Sequence, residues 1–140
     1  MKITANTNVL LRAVVADDEA QSALAIEALE GADLVAVSLQ SLCELAWVLR
    51  RRFGVSRADI GGAVRRLMET RNVVVNRPAT EAGLSVLEAG GDFADGVIAY
   101  EGAWLGAETF VSFDKKAVSL LASQGRRTKL LAAKAAGTHA

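Results

Sequence analysis

Acidic side chains with the spacing of a cation site lie in the second half of the sequence. Asp92 and Asp95 are three residues apart, which places both on one face of a helix. Asp114 directly follows a strand-like run, 109–113, and open α/β sheets bind ligands at the carboxyl ends of their strands. Carboxylates gathered in one pocket repel each other, which raises some of their pKa values unless a divalent cation balances the charge. Oxygen ligands without a nearby histidine or cysteine pair favour Mg²⁺ or Mn²⁺ over zinc.

Two residues in the first half of the sequence are further candidates for the same cation site. Asn6 follows the first predicted strand, again at a carboxyl end. Glu44 is the only charged residue between Ser38 and Leu49, in a predicted helix that is apolar nearly all round, and a charge buried there needs a partner. A hard cation held by such oxygens suits phosphodiester cleavage, because it orients a water, lowers the pKa of that water and stabilises charge on the phosphate.

Each acid also has a purely structural explanation. Asp92 and Asp114 both stand where a predicted helix begins, and aspartate is a preferred helix cap; for Asp92 the cap is the favoured explanation. Glu44 could instead hold a buried arginine. No single acid decides between a cation site and these ordinary roles.

The elements that must position these residues follow an α/β pattern. Short β-rich runs alternate with longer helical patterns, which implies a mostly parallel sheet. The predicted strands are residues 2–5, 34–37, 73–76, 109–113 and 128–131, and the predicted helices are residues 7–15, 18–30, 38–53, 57–70, 78–89, 92–105 and 115–123. We expect one α/β domain, residues 1–131, in which a central five-stranded sheet is flanked by helices.

Helix-start residues agree with this division. Ser38 and Ser56 can accept the free amides of the helices that follow them, and Pro78, the only proline, fits a first helical turn. The remaining residues, 132–140, are rich in alanine and contain the only histidine, His139. We expect them to form a flexible tail.

Composition narrows the class of protein. Hydrophobic residues make up 51% of 140 residues, so one well-packed domain should still leave some apolar surface for a partner. Sixteen basic residues balance sixteen acidic ones, which leaves only local basic patches to attract nucleic acid. The single Cys43 fits an inert thiol in a reducing cytoplasm. No apolar stretch reaches the roughly 18 residues of a membrane span, and no secretion signal is evident.

Taken together, these segments resemble the PIN-domain family and, within it, the VapC-type ribonuclease toxins of type II toxin-antitoxin systems. The resemblance covers nearly the whole chain, in the family's order and spacing. It rests on four segments: 5–10 with Asn6, 38–49 with Glu44, 92–99 with Asp95 and 111–115 with Asp114. It implies a Mg²⁺- or Mn²⁺-dependent endoribonuclease in which these four residues hold the metal, supported by the polar residues Asn8, Asp92 and Ser112.

Asn6 departs from the family's pattern, which has aspartate at that position. An amide carries no charge and offers one good ligand oxygen, so metal binding should weaken and hydrolysis should fall by orders of magnitude. The change keeps the shape of the side chain and deletes its charge, as a substitution introduced to silence a toxic nuclease would. A naturally encoded asparagine is the alternative.

The same resemblance implies partners. It implies a homodimer and a VapB-type antitoxin, and we expect an amphipathic antitoxin helix to bind between segments 9–29 and 39–53. Lys115 and Lys116, directly after Asp114, are the favoured contacts for RNA phosphates. Arginines 50–52 close a predicted helix, and the favoured explanation for them is that they offset the dipole at its C-terminus. The aromatic residues, including Trp47 and Trp104, fit a core better than base stacking.

Two other classes of protein share parts of this pattern. A phosphate-accepting receiver domain is also a five-stranded α/β unit, but it needs its acceptor aspartate after the third strand, where this chain has Arg77 and Pro78. A catalytically silent protein that binds RNA or an antitoxin would explain Asn6. A dinucleotide-binding site is disfavoured because no glycine-rich loop follows the first strand. A nucleophilic triad is disfavoured because His139 is the only histidine.

Overall fold

Strands and helices alternate along the whole of the chain that the computed structural model describes, residues 1–132. The elements are β1 (Lys2–Thr4), α1 (Thr7–Val14), α2 (Glu19–Gly31), β2 (Leu34–Ala36), α3 (Leu39–Arg51), α4 (Arg57–Glu69), β3 (Val73–Val74), α5 (Arg77–Glu88), α6 (Phe93–Trp104), β4 (Phe110–Ser112), α7 (Lys115–Ser123) and β5 (Thr128–Leu130). Every strand and helix expected from the sequence is present, and the α/β class is confirmed. The expected tail lies almost entirely outside the described residues, as does His139.

Helix caps set several of these boundaries. Ser38 and Ser56 cap α3 and α4 by accepting the backbone N–H groups of Ser41 and Asp59, as expected. The third strand is shorter than expected because Asn76, assigned to it from the sequence, instead caps α5 and accepts the N–H of Ala79. Local capping chemistry therefore takes precedence over the strand pattern there.

All five strands pair in parallel, but they form two sheets. One sheet has the order β1-β2-β3, and the other pairs β4 with β5. All five expected strands are therefore present, but the expectation that they form one continuous sheet was wrong. Each observed pair joins strands that follow one another in the sequence. Whether the two sets of strands also pair with each other depends on tertiary packing, which no local pattern encodes.

The main core lies between the first sheet and the helices that cover it. Its fully enclosed side chains come from α1, β2, α3, α4 and α5: Leu10, Val35, Leu42, Leu45, Leu49, Ile60, Val64 and Leu84. Burial of a side chain of this size contributes roughly 1.5–3 kcal/mol relative to leaving it exposed. This core fixes the position of α3, which carries Glu44.

Helices α5 and α6 approach each other unusually closely, through two glycines. A Cβ atom at Gly83 would lie 2.7 Å from the ring of Phe93, and one at Gly96 would clash with the backbone carbonyl of Ala82. Ordinary side chains cannot be accommodated at that separation. The contact fixes the first turn of α6, where Asp92 and Asp95 lie.

Apolar surface is left uncovered in the described part of the chain, as the composition suggests. Large exposed apolar side chains include Ile98, Trp104 and Leu105 on or beside α6, and Phe113 after β4. Within residues 1–132, no helix is both long enough and apolar enough to cross a membrane.

Candidate metal centre

Three carboxylates converge where α6 begins and β4 ends. Asp92 precedes α6, Asp95 lies in its first turn and Asp114 caps α7 directly after β4. One oxygen from each lies within 4.8 Å of one from each of the others. The helix face and the strand end identified from the sequence therefore meet.

Asp92 stands at the cap position of α6, but its side chain accepts no capping hydrogen bond. The expectation that Asp92 acts as a helix cap was therefore wrong. Its backbone carbonyl accepts the N–H of Asp95 at 3.1 Å, while the carboxylate stays exposed beside the other two acids. Charge repulsion disfavours leaving a carboxylate there without a compensating partner.

Asp114 is held in place by three backbone hydrogen bonds. Its Oδ1 accepts the N–H groups of Lys116 at 2.9 Å and Ala117 at 3.2 Å, which makes it the cap of α7. Its own N–H donates to Oγ of Ser112 at 3.0 Å. The capping explanation is therefore correct for Asp114, and the carboxylate keeps lone pairs that could also bind a cation.

The pKa of Asp95 reflects both its burial and its acidic neighbours. Partial burial raises its pKa above the ordinary value, and the charges of Asp92 and Asp114 raise it further. The direction of this shift agrees with the expectation that clustering raises a carboxyl pKa, although burial is its larger cause. Within residues 1–132, none of the three acids forms an ion pair with a lysine or arginine.

These residues fit a hard divalent cation. The cluster offers only carboxylate oxygens, the ligands preferred by Mg²⁺ and Mn²⁺, and contains no histidine or cysteine of the kind favoured by zinc. A cation there would balance charge that the described part of the protein leaves unbalanced.

Asn6 and Glu44 lie at a second group, around the start of α1. Asn6 caps α1 through Oδ1, which accepts the N–H of Val9 at 3.2 Å. The hydroxyl of Thr7, the next residue, donates to Oε1 of Glu44 at 2.8 Å. Thr7 was not identified from the sequence, because a contact across 37 residues leaves no local pattern.

Glu44 is exposed, so the prediction of a buried charge was wrong. Leu42, Leu45 and Leu49 occupy the buried side of α3, and Glu44 faces away from them. Within residues 1–132 it forms no ion pair and does not belong to the group of three aspartates. The structure therefore brings Asp95 and Asp114 together with Asp92, and it connects Glu44 to the start of α1 through Thr7.

Asn8, expected to support the metal site, and the two lysines expected to contact RNA all lie on the surface. Asn8 is exposed in the first turn of α1, and Lys115 and Lys116 are exposed in the first turn of α7. The two lysines directly follow Asp114, so their charge lies beside the aspartate cluster.

Both tryptophans are exposed, contrary to the expectation that they belong to the core. Trp47 is 57% exposed and Trp104 is 76% exposed. The guanidinium of Arg51 lies over the Trp47 ring, with Cζ 5.8 Å from the centroid. The four-residue spacing from Trp47 to Arg51 was the available sequence signal, since residues at that spacing are neighbours on a helix.

Cys43 is half-buried behind Glu44. Burial raises the pKa of its thiol to about 11, and the charges of Glu101 and Glu44 add to the shift. The thiol therefore stays protonated at neutral pH, as expected for an inert cysteine.

Comparison with known proteins finds similarity in solved structures. No protein-family model and no curated protein sequence matches the chain. The fold is similar to that of VapC20, a sarcin-ricin loop cleaving toxin from Mycobacterium tuberculosis, with 18% identity and a TM-score of 0.43 over 89% of this chain and 96% of the other.

Proposed function

We propose that this protein is a metal-dependent endoribonuclease of the PIN-domain type and the toxin of a toxin-antitoxin pair. The observation that carries the proposal is the cluster of Asp92, Asp95 and Asp114, whose oxygens lie within 4.8 Å of one another. The resemblance of the sequence to VapC-type ribonuclease toxins supports the same reaction.

Asp92, Asp95 and Asp114 are the residues that would hold Mg²⁺ or Mn²⁺. When bound, such a cation polarises the scissile phosphate and lowers the pKa of an attacking water. Two of the three carboxylates are exposed, so an RNA strand can approach them from solvent. Lys115 and Lys116 attract the RNA backbone to this position, because phosphate contacts supply most of the sequence-independent affinity.

Asn6 and Glu44 are the other two residues that the resemblance assigns to the metal site. Asn6 supplies no charge, and Glu44 is engaged by the Thr7 hydroxyl. We therefore propose that the protein as it stands cleaves RNA weakly.

Replacing Asn6 with aspartate tests this proposal. Asparagine and aspartate cap helices about equally well, so Asn6→Asp should leave α1 intact. We expect cleavage of a mixed cellular RNA pool in Mg²⁺ or Mn²⁺ to rise on the order of 100-fold, because an additional carboxylate strengthens cation binding. A chelator should abolish the gain.

The matched control is Gln21→Glu, which makes the same change from amide to carboxylate at an exposed position in α2. It should leave cleavage nearly unchanged. Equal gains from both variants would show that the added charge matters without any specific role for position 6. No cleavage by either would contradict the nuclease proposal.

Partners follow from the same proposal. A VapB-type antitoxin would cover the acidic site, and a second copy of the chain would form a homodimer in the cytoplasm. Exposed apolar side chains support a protein partner, among them Leu24 and Ile26 on α2, within the surface expected to bind an antitoxin helix.

A second candidate is a catalytically silent protein that binds RNA or an antitoxin. Two observations favour it. Asn6 carries no charge, and Glu44 accepts a hydrogen bond from Thr7 without belonging to the group of three aspartates within 4.8 Å of one another. RNA binding by Asn6→Asp without metal-dependent cleavage would support this candidate over the nuclease.

A further inference from the structure

Trp47 is exposed on α3, and the guanidinium of Arg51 lies over its ring. We call Trp47, Arg50 and Arg51 of α3, together with Arg57 at the start of α4, the tryptophan patch. These residues line a small groove of about 80 Å³, and Asp92 of the metal cluster lines the same groove. The patch is therefore continuous with the proposed catalytic centre.

The cations of the tryptophan patch are not neutralised by carboxylates of the described chain. Arg50 donates to the backbone carbonyl of Val55, Arg51 lies over Trp47, and Nε of Arg57 donates to the carbonyl of Gly91 at 3.1 Å. None of the three forms an ion pair within residues 1–132.

Other arginines of the same molecule are neutralised. Arg12 pairs with Asp17, and Arg65 binds both Glu81 and Glu88. The tryptophan patch is thus a local positive surface on a chain whose net charge is zero. Such a surface attracts a polyanion without help from the rest of the molecule.

We infer that the tryptophan patch binds single-stranded RNA, with one base stacked on Trp47 and the adjoining phosphates on Arg50 and Arg51. The inference rests on the proposed function and specifies how its substrate is held. An exposed aromatic ring beside cations is the combination that binds single strands, because every base has a face that stacks and every nucleotide has a charge. The strand then continues along the groove to Asp92.

Arg57 has a positioning role in this arrangement. Its bond to the carbonyl of Gly91 joins the start of α4 to the residue before Asp92. Gly91 itself is tightly packed, since a Cβ there would lie 2.7 Å from Leu120 and 2.8 Å from Val86. The groove and the aspartate cluster therefore share one rigid boundary.

Tryptophan fluorescence tests the stacking directly, because the chain has only two tryptophans. Trp104→Phe leaves Trp47 as the only indole, and Trp47→Phe leaves Trp104. A short single-stranded oligouridylate, titrated in EDTA to prevent cleavage, should quench the emission of the Trp104→Phe protein and leave that of the Trp47→Phe protein unchanged. Quenching of Trp104 alone, or of neither indole, would overturn the inference.

Affinity measurements separate stacking from charge. Trp47→Ala should weaken binding of the same oligouridylate by about 10-fold or more without changing its salt dependence. Arg51→Ala should reduce the slope of log affinity against log salt by about 0.7, the value for one phosphate contact on a single strand. Arg71→Ala, in the exposed turn before β3, is the matched control and should change neither quantity.

These outcomes are independent of catalysis. If the oligouridylate quenches Trp47 but Asn6→Asp cleaves no RNA, the nuclease proposal is wrong and the RNA-binding patch stands. If Trp47→Ala leaves metal-dependent cleavage unchanged and the oligouridylate does not quench Trp47, the nuclease proposal stands and the inferred RNA-binding patch is overturned. The latter result would be expected if the patch instead received an acidic segment of a protein partner.

Discussion

Asp95→Asn is expected to make the metal-free protein more stable and, in the Asn6→Asp background, to lower metal-dependent RNA cleavage on the order of 100-fold. Burial and the charges of Asp92 and Asp114 raise the pKa of Asp95, so its ionised form costs the folded state free energy. Removing the charge relieves this cost. The same change deletes a carboxylate that would hold the cation.

The sign of the pH dependence follows from the raised pKa. The folded carboxyl binds its proton more tightly than the unfolded one, so stability falls as the pH rises above the ordinary value of 3.8. Thermal melting in EDTA should therefore show a stability gain from Asp95→Asn that grows from acid to neutral pH and then levels off.

The control for this prediction is Asp59→Asn, which removes an exposed charge from the first turn of α4. It should lower stability slightly, because an acid near a helix start is favourable, and it should leave cleavage unchanged. A stability loss from Asp95→Asn at neutral pH in EDTA would contradict the account of a self-repelling cluster.

Gly96→Ala is expected to destabilise the protein by about 2–3 kcal/mol. The added methyl group would clash with the carbonyl of Ala82 and approach Cα of Gly83, and these are backbone atoms that cannot rotate away. Relief requires α5 and α6 to separate, which would also displace Asp95, the neighbouring residue. Chemical denaturation should show the loss as a lower midpoint.

Gly62→Ala is the matched control, since it places the same methyl group in another helix. There the nearest atom is the flexible guanidinium of Arg66 at 3.4 Å. Alanine should raise stability by up to about 1 kcal/mol, because it is the better helix former. Equal stability of the Gly96→Ala protein and the unsubstituted protein would show that the two helices are not held as closely as described.

Much of the fold could be predicted because its determinants are local. Ser38 and Ser56 cap helices at the expected positions, and the alternation of short and long patterns identifies every strand and helix. The division into two sheets could not be predicted, since pairing depends on how distant segments pack. The close α5–α6 contact was missed for the same reason, because nothing in the sequence around Gly96 indicates that Ala82 packs against it.

The candidate site was predictable in part. Asp95 and Asp114 were identified because helix spacing and a strand end are visible in the sequence, and the structure brings them together with Asp92. The exposure of Glu44 and Trp47 was not visible, because a helix that reads as apolar nearly all round gives little indication of which side is covered. The Thr7–Glu44 hydrogen bond joins residues that no sequence pattern relates.

Binding of Mn²⁺ to the metal-free protein, followed by electron paramagnetic resonance, tests the central claim most directly. We expect Mn²⁺ binding that is lost in Asp92→Asn, Asp95→Asn or Asp114→Asn, kept in Asp59→Asn and tightened in Asn6→Asp. A protein that binds no Mn²⁺ even as Asn6→Asp, or that binds it equally well without Asp95 and Asp114, would contradict the metal centre on which the proposed ribonuclease depends.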